Sequence, residues 1–283
     1  MSAEAVGQPV RPTVLLVGDP SARPPGLELA LTRAGFQLVE RAEADSESKP
    51  HAVLITLARL DGDLPAHAPP GSAEASSIPP RIVVLSASDP DGPAAALIQG
   101  AADALAAPIH LPELCARLHA RIRERQEGEA KDALDRRVQE EFERARRYSL
   151  SFSLVLLGVD ELGGLSAQLG AEAADRRRRE VGGALRRELR LPDFVVPYGF
   201  DEFAIVLPET DQTGARQSVT RIRERLATIP FEGDPREERP RFSAGIVTYP
   251  HPAAVQTGDL FDLAEAALMV GKAQLGERIG VAM

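Results

Sequence analysis

The sequence predicts two α/β domains joined by a charged helical connector. Three observations carry that expectation. The length of 283 residues suits two ordinary domains. Residues 12–125 alternate apolar runs of strand length with segments of helical spacing, the pattern of a doubly wound parallel sheet. Residues 149–283 place Gly199-Phe200-Asp201-Glu202 directly between two apolar runs. That is a hairpin signal, and it points to a mainly antiparallel sheet of α+β or α/β type. The expected boundaries are a disordered tail over 1–11, a first domain over 12–125, a connector over 126–148 and a second domain over 149–283.

In the first domain, Thr13 to Val17 is a buried-type strand ending at Gly18-Asp19. Leu27 to Ala34 has helical spacing and stops at Gly35, with Phe36 to Val39 as the second strand. Ala52 to Ile55 and Arg81 to Leu85 are the third and fourth strands. Pro93 to Gly100 is a helix, Ala104 to Ala106 a short fifth strand, and Pro112 to Arg125 a closing helix. The stretch from Asp61 to Pro80 is rich in Pro, Gly and Ser and is expected to be an exposed, mobile loop.

Apolar residues keep helical spacing from Leu114, Leu118 and Ile122 to Leu134, Val138 and Phe142, with charges of both signs between them. One long helix fits, as do two broken near Gly128. A helix of this kind can pair with a copy of itself or serve as a solvated spacer. Beyond it, Phe152 to Leu157 is a buried-type strand and Ala171 to Arg190 a helix. The hairpin strands follow at Val195-Val196 and Phe203 to Leu207. Gly214 to Leu226 is a helix, Phe242 to Tyr249 a strand, Asp259 to Lys272 a helix with Asp259 as N-cap, and Ile279 to Ala282 the last strand.

Composition excludes several classes of function. A net charge of −9 argues against general nucleic-acid binding. The single cysteine excludes an internal disulfide and fits a reducing cytoplasm. Cys115 falls among apolar residues at helical spacing and reads as a small core residue. The five histidines show no metal-ligand spacing. No apolar run is long enough to insert into a membrane, and residues 1–11 lack the apolar core of a signal sequence.

The first domain resembles the flavodoxin-like receiver domain of two-component response regulators. Gly18 and Asp19 stand where that family has its acidic pair, and Thr56 stands at the phosphoacceptor aspartate. Ser86 keeps the hydroxyl position after the fourth strand. Ala107 replaces the lysine that precedes a proline, here Pro108. The only acids near Thr56 in the chain are Asp61 and Asp63. Phosphoryl transfer to a protein needs a carboxylate nucleophile, acids that hold a divalent metal, and a cation on the phosphate. Most of that set is missing, so the resemblance implies a pseudo-receiver and a vestigial phosphorylation site.

The stretch Tyr198-Gly199-Phe200-Asp201-Glu202-Phe203 resembles the signature of the GGDEF family of diguanylate cyclases, which have a nucleotidyl-cyclase-like α+β fold. In that family the hairpin lies over the GTP phosphates, and the glycines let the backbone approach them. Phe200 replaces the second glycine, and a residue there is expected to be strained. Asp201 holds the position of a metal-binding carboxylate. Gly158 stands where the family's strand carries another, and Asp160 aligns with the second aspartate of that motif. Ser166 aligns with a guanine-contacting asparagine, Asp175 with a guanine-binding aspartate, and Lys272 with a late lysine, although Gly276 falls one residue late. The family's D-x-L-T-G-L-x-N-R motif is shortened to Asp132-Ala133-Leu134-Asp135-Arg136. Two divalent metals on a triphosphate need at least two placed carboxylates. The resemblance therefore implies a vestigial active site in which Asp201 and Glu202 form a solvated polar turn, with Glu202 and Asp160 as the acids left for weak metal binding.

Arg190-x-x-Asp193, five residues before that signature, resembles the family's inhibitory site for cyclic di-GMP, with Arg221 as its second arginine. Guanidinium groups fork onto phosphate or the guanine O6/N7 edge, and a carboxylate accepts from guanine N1–H and the exocyclic amine. The alternative is a local ion pair ending a helix. Taken together, the resemblances imply a non-catalytic cyclic di-GMP receptor that requires no cofactor and no metal. It would be cytoplasmic, homodimeric, and would signal to a protein partner. A weakly active diguanylate cyclase and a nucleotide-independent scaffold are the rival readings.

Overall fold

The computed structural model describes residues 11–40, 50–60, 62–64, 78–160, 162, 171–228 and 241–283. Most of the loop expected over 61–80, residues 1–10 of the expected tail and Ser166 lie outside these residues. The chain forms two compact units, residues 1–128 and 129–283.

The first unit holds a five-stranded parallel sheet in the order β2-β1-β3-β4-β5. The strands are β1 Thr13–Gly18, β2 Gln37–Glu40, β3 Ala52–Leu57, β4 Arg81–Leu85 and β5 Asp103–Ala106. Val53 to Ile55 and Ile82 to Leu85 are fully buried, as continuous apolar strands of a two-sided sheet must be. α1 (Leu27–Arg33) and α2 (Gly92–Ile98) accompany the sheet. Leu114, Cys115, Leu118 and Ile122 of α3 (Leu111–Tyr148) pack with Leu16, Leu31, Phe36 and Ile82, which places Cys115 in the core as its spacing predicts.

α3 runs unbroken for 38 residues through Gly128, so the reading of two helices broken there is not realised. Its later apolar residues Leu134, Val138, Phe142 and Ala145 are buried in the core of the second unit with Phe152, Leu154, Val206 and Leu260. That burial overturns the spacer reading for residues 129–148. It also removes the stripe from any coil with a second copy, because one apolar face cannot be buried twice.

The second unit is built on a five-stranded sheet in the order β10-β9-β6-β8-β7. Its strands are β6 Phe152–Val159, β7 Phe194–Tyr198, β8 Glu202–Pro208, β9 Phe242–Tyr249 and β10 Ile279–Val281. β6 is antiparallel to β8 and β9, β7 is antiparallel to β8, and only β10 is parallel to its neighbour. α4 (Ala171–Glu188) and α5 (Gln212–Leu226) cover one face. α6 (Thr257–Ala273) and the end of α3 cover the other. Val219, Ile222 and Leu226 bury the predicted face of α5, and the Asp211 carboxylate caps it by accepting from Gly214 N at 2.8 Å. α6 begins two residues earlier than predicted. Asp259 is therefore not its N-cap; from inside the first turn it accepts from the amides of Val255 and Gln256 at 2.7 and 2.9 Å.

A candidate functional site at the ends of three strands

The register β6–β8–β9 brings Gly158 opposite Glu202 on one side and Ser243 on the other. The chemistry-bearing residues therefore gather at one end of the sheet, across β8, β6 and β9. The hairpin turns over Gly199, Phe200 and Asp201 between the paired residues Tyr198 and Glu202. The positive φ that such a turn requires, +63°, falls on Gly199. Phe200 is not among the residues with positive φ, so the expected strain there is absent, and its ring is 42% exposed. Three contacts fix the hairpin. Arg178 Nη2 of α4 donates to the Gly199 carbonyl at 2.5 Å, Val159 N donates to the Asp201 carbonyl at 2.7 Å, and Tyr198 Oη donates to Glu265 Oε1 at 2.7 Å. Burial, reinforced by Glu265, drives the Tyr198 phenol well above its ordinary value, so it stays protonated and remains a donor.

Glu202 is not a solvated turn residue. It is the first residue of β8, its side chain is 19% exposed, and Lys272 Nζ of α6 donates to its Oε1 at 2.8 Å. Lys272 also lies against Gly158: a Cβ there would stand 3.1 Å from Lys272 Cε and 3.7 Å from Nζ. Burial works against the lysine charge. The hydrogen-bonded Glu202 carboxylate, with Asp201 and Asp160 farther off, outweighs it and holds the ammonium above its ordinary range.

Asp160 is equally engaged. Both its oxygens accept from Ser243 Oγ, at 3.0 and 3.1 Å, and Oδ2 pairs with Arg278 Nη2 at 3.0 Å. Arg278 Nε donates to the same Ser243 oxygen at 3.1 Å. Arg278 sits at φ +54°, two residues after the late Gly276. Two arginines of α5 hold this loop: Arg216 pairs with Glu277, and Arg223 donates to the Glu277 carbonyl. Burial, with Arg278 nearby, pushes the Arg223 guanidinium down from its ordinary value. Ser243, Arg278 and Arg178 were missed in the sequence. The late Gly276 was the one signal there that this loop was altered. Asp175 lies half-buried on α4.

The Arg190–Asp193 turn closes α4 at Glu188, two residues earlier than expected. An Asp193 carboxylate oxygen accepts from Arg190 N at 2.9 Å, and Asp193 N donates to the Arg190 carbonyl at 3.1 Å. The local link therefore uses backbone and carboxylate rather than an ion pair. The Arg190 guanidinium is exposed, with no ion pair among the described residues. Arg221 is brought beside this turn, Nη2 donating to the Glu188 carbonyl at 3.4 Å, and Arg137 Nη2 holds the Pro192 carbonyl at 3.0 Å.

In the first unit, Asp19, Thr56, Ser86 and Ala107 lie at the carboxyl ends of β1, β3, β4 and β5. Thr56 is inside β3 and fully buried, its hydroxyl 3.4 Å from the carbonyl oxygens of Val17 and Asp19. Gly18, at φ +105°, lies so close to β3 that a Cβ would stand 2.1 Å from the Thr56 carbonyl oxygen. Asp19 accepts from Ser21 N at 2.8 Å, and the Ser21 side chain, together with this amide, lowers its carboxyl from the ordinary value.

Residues 129–278 match the family model described as diguanylate cyclase, GGDEF domain. The chain is 31% identical over 152 residues to diguanylate cyclase DgcP of Pseudomonas aeruginosa, covering 53% of this chain and 22% of that protein. It is 31% identical over 86 residues to diguanylate cyclase DosC of Escherichia coli K12, covering 30% of this chain and 19% of that one. The chain thus spans about a fifth of the length of these relatives. The solved GGDEF domain of YfiN (TpbB) from Pseudomonas aeruginosa superposes with a TM-score of 0.50 at 22% identity, covering 54% of this chain and 94% of that chain. The superposition bears on the fold alone.

Proposed function

The chain belongs to the GGDEF-domain family of diguanylate cyclases through residues 129–278, and from that premise we propose that it is a non-catalytic receptor for cyclic di-GMP. The observation that carries this reading is the exposed turn at Arg190–Asp193 with Arg221 beside it. Asp193 is oriented by the Arg190 amide, which leaves the guanidinium free to fork onto a phosphate or stack on a base. Arg221 supplies the second cation, and the remaining lone pairs of Asp193 face the needs of a guanine Watson–Crick edge. The catalytic edge offers less: Gly158 has no donor, and Phe200 occupies a position where the family has glycine.

The first unit is proposed as a pseudo-receiver. The strand order β2-β1-β3-β4-β5 supports this, since it is that of flavodoxin-like sheets. Thr56 supplies a buried hydroxyl in place of a carboxylate nucleophile. Ligand binding would be read by a protein partner.

The test is calorimetric titration of the full chain with cyclic di-GMP, with GTP and Mg²⁺ in parallel. Saturable binding of the dinucleotide without GTP turnover is expected. Arg190→Ala, an exposed substitution, should weaken binding by at least about tenfold, roughly the value of one charge-assisted contact. Unchanged affinity in that variant removes the site. Magnesium-dependent product formation that disappears on Asp201→Ala would make the chain an enzyme instead, and no heat with either ligand would make it a scaffold.

A further inference from the structure

The turn that carries Arg190 and Asp193 has little packing to hold it. Arg190, Leu191 and Pro192 are exposed, Leu191 fully so. Its shape therefore rests on polar anchors. Two are internal: Asp193 Oδ2 accepts from Arg190 N at 2.9 Å, and Asp193 N donates to the Arg190 carbonyl at 3.1 Å. A third comes from α3, 55 residues away in sequence, where Arg137 Nη2 donates to the Pro192 carbonyl at 3.0 Å. A proline has no N–H, so that carbonyl is the one backbone hydrogen-bonding group it offers.

Arg137 is itself fixed from its own helix. The same Nη2 lies 3.1 Å from Oε1 of Glu141, one helical turn on, and Nη1 lies 3.6 Å from Glu140. Glu141 is buried, and Arg144 Nη1 stands 3.8 Å from its other oxygen. A buried carboxylate is costly without its partners, so Glu141 holds the guanidinium where Pro192 meets it. One nitrogen thus joins a buried acid of α3 to an exposed turn.

We propose that Arg137 is a positioning residue that couples this turn to α3. It holds the turn in its binding shape before ligand arrives. Ligand on the turn in return steadies α3 around Arg137, because coupling between two sites is reciprocal. The proposal rests on the cyclic di-GMP reading for the identity of the ligand, and on the hydrogen bonds alone for the clamp.

The test compares the full chain with Arg137→Gln, Arg137→Lys and Arg137→Gln/Glu141→Gln, by amide hydrogen exchange and by calorimetric titration with cyclic di-GMP. Thermal melts establish that each is folded. The double variant removes the clamp without leaving a buried charge unpaired, and it is the one read if Arg137→Gln does not fold. Without ligand, the amides of Arg190 and Asp193 should exchange at least about tenfold faster in Arg137→Gln. Affinity should fall by a similar factor, roughly the value of one charge-assisted bond. In Arg137→Lys one ammonium can donate to both oxygens, so that variant should lie nearer the wild type in both readouts. Saturating ligand should slow exchange over residues 134–141 of the wild type and leave that stretch of Arg137→Gln unchanged, which a merely stabilising contact would not produce. Unchanged exchange at the turn, or unchanged affinity, in the folded clamp-free variant overturns the proposal. Equal slowing of residues 134–141 in wild type and variant overturns it too. No binding by the wild type would instead overturn the receptor reading, and exchange at the ligand-free turn then decides the clamp by itself.

Discussion

Asp259 shows how much one side chain does at a helix end. Its carboxylate accepts from two backbone amides, Gln256 and Val255, and those contacts lower its carboxyl from the ordinary value of 3.8. A depressed carboxyl contributes stability that is fully present above the unfolded value and is lost as pH falls through the folded one. Asp259→Ala should therefore lower the melting temperature at neutral pH. The gap between variant and wild type should close as pH falls below 3.8. Thermal unfolding followed by circular dichroism at several pH values measures this, and a gap that persists at the acid end would show that Asp259 acts as an uncharged packing residue. That an acid belonged at the start of α6 was legible in the sequence. Its exact station was not, because Gln256 and Thr257 start the helix without an apolar residue to announce it.

At the scale of elements, α6 is held unusually close to the sheet. A Cβ at Gly245 on β9 would stand 2.2 Å from the Ala264 carbonyl oxygen and 2.3 Å from Leu268 N. One at Gly280 on β10 would stand 1.8 Å from the Ala267 carbonyl oxygen. Backbone lies against backbone at these points, so an added methyl has no flexible neighbour to displace. Gly245→Ala should cost about 1–3 kcal/mol by overpacking, read as a lower denaturant midpoint at unchanged slope. The close approach also matters for the site, because α6 carries Lys272 to within reach of Glu202. The hairpin was legible from Gly199 and its flanking apolar runs. Placing strain on Phe200 failed because one left-handed residue suffices for the turn, and Gly199 supplies it.

At the scale of the molecule, each unit has its own buried core, and the later part of α3 belongs to that of the second. Residues 129–283 should therefore fold alone, giving one cooperative thermal transition and a circular dichroism spectrum of mixed helix and strand. A piece begun at residue 149 should not match it, since it lacks Leu134, Val138 and Phe142. Equal stability of the two pieces would show that these side chains contribute little. No described helix is long and apolar enough to cross a membrane.

The sequence by itself determined the strands and helices that bury whole faces, from β9 at Phe242–Tyr249 to the apolar face of α5, because burial on one side of a regular element leaves a short-range period. It also determined the turn at Gly199. Only the tertiary structure decided the partners of the acids. Lys272 meets Glu202 across 70 residues of chain, and Arg278 meets Asp160 through Ser243 on a neighbouring strand. Such pairs leave no period in the sequence. They follow from the register of β6 with β8 and β9 and from the close seat of α6 on the sheet, which together set which charges share one space.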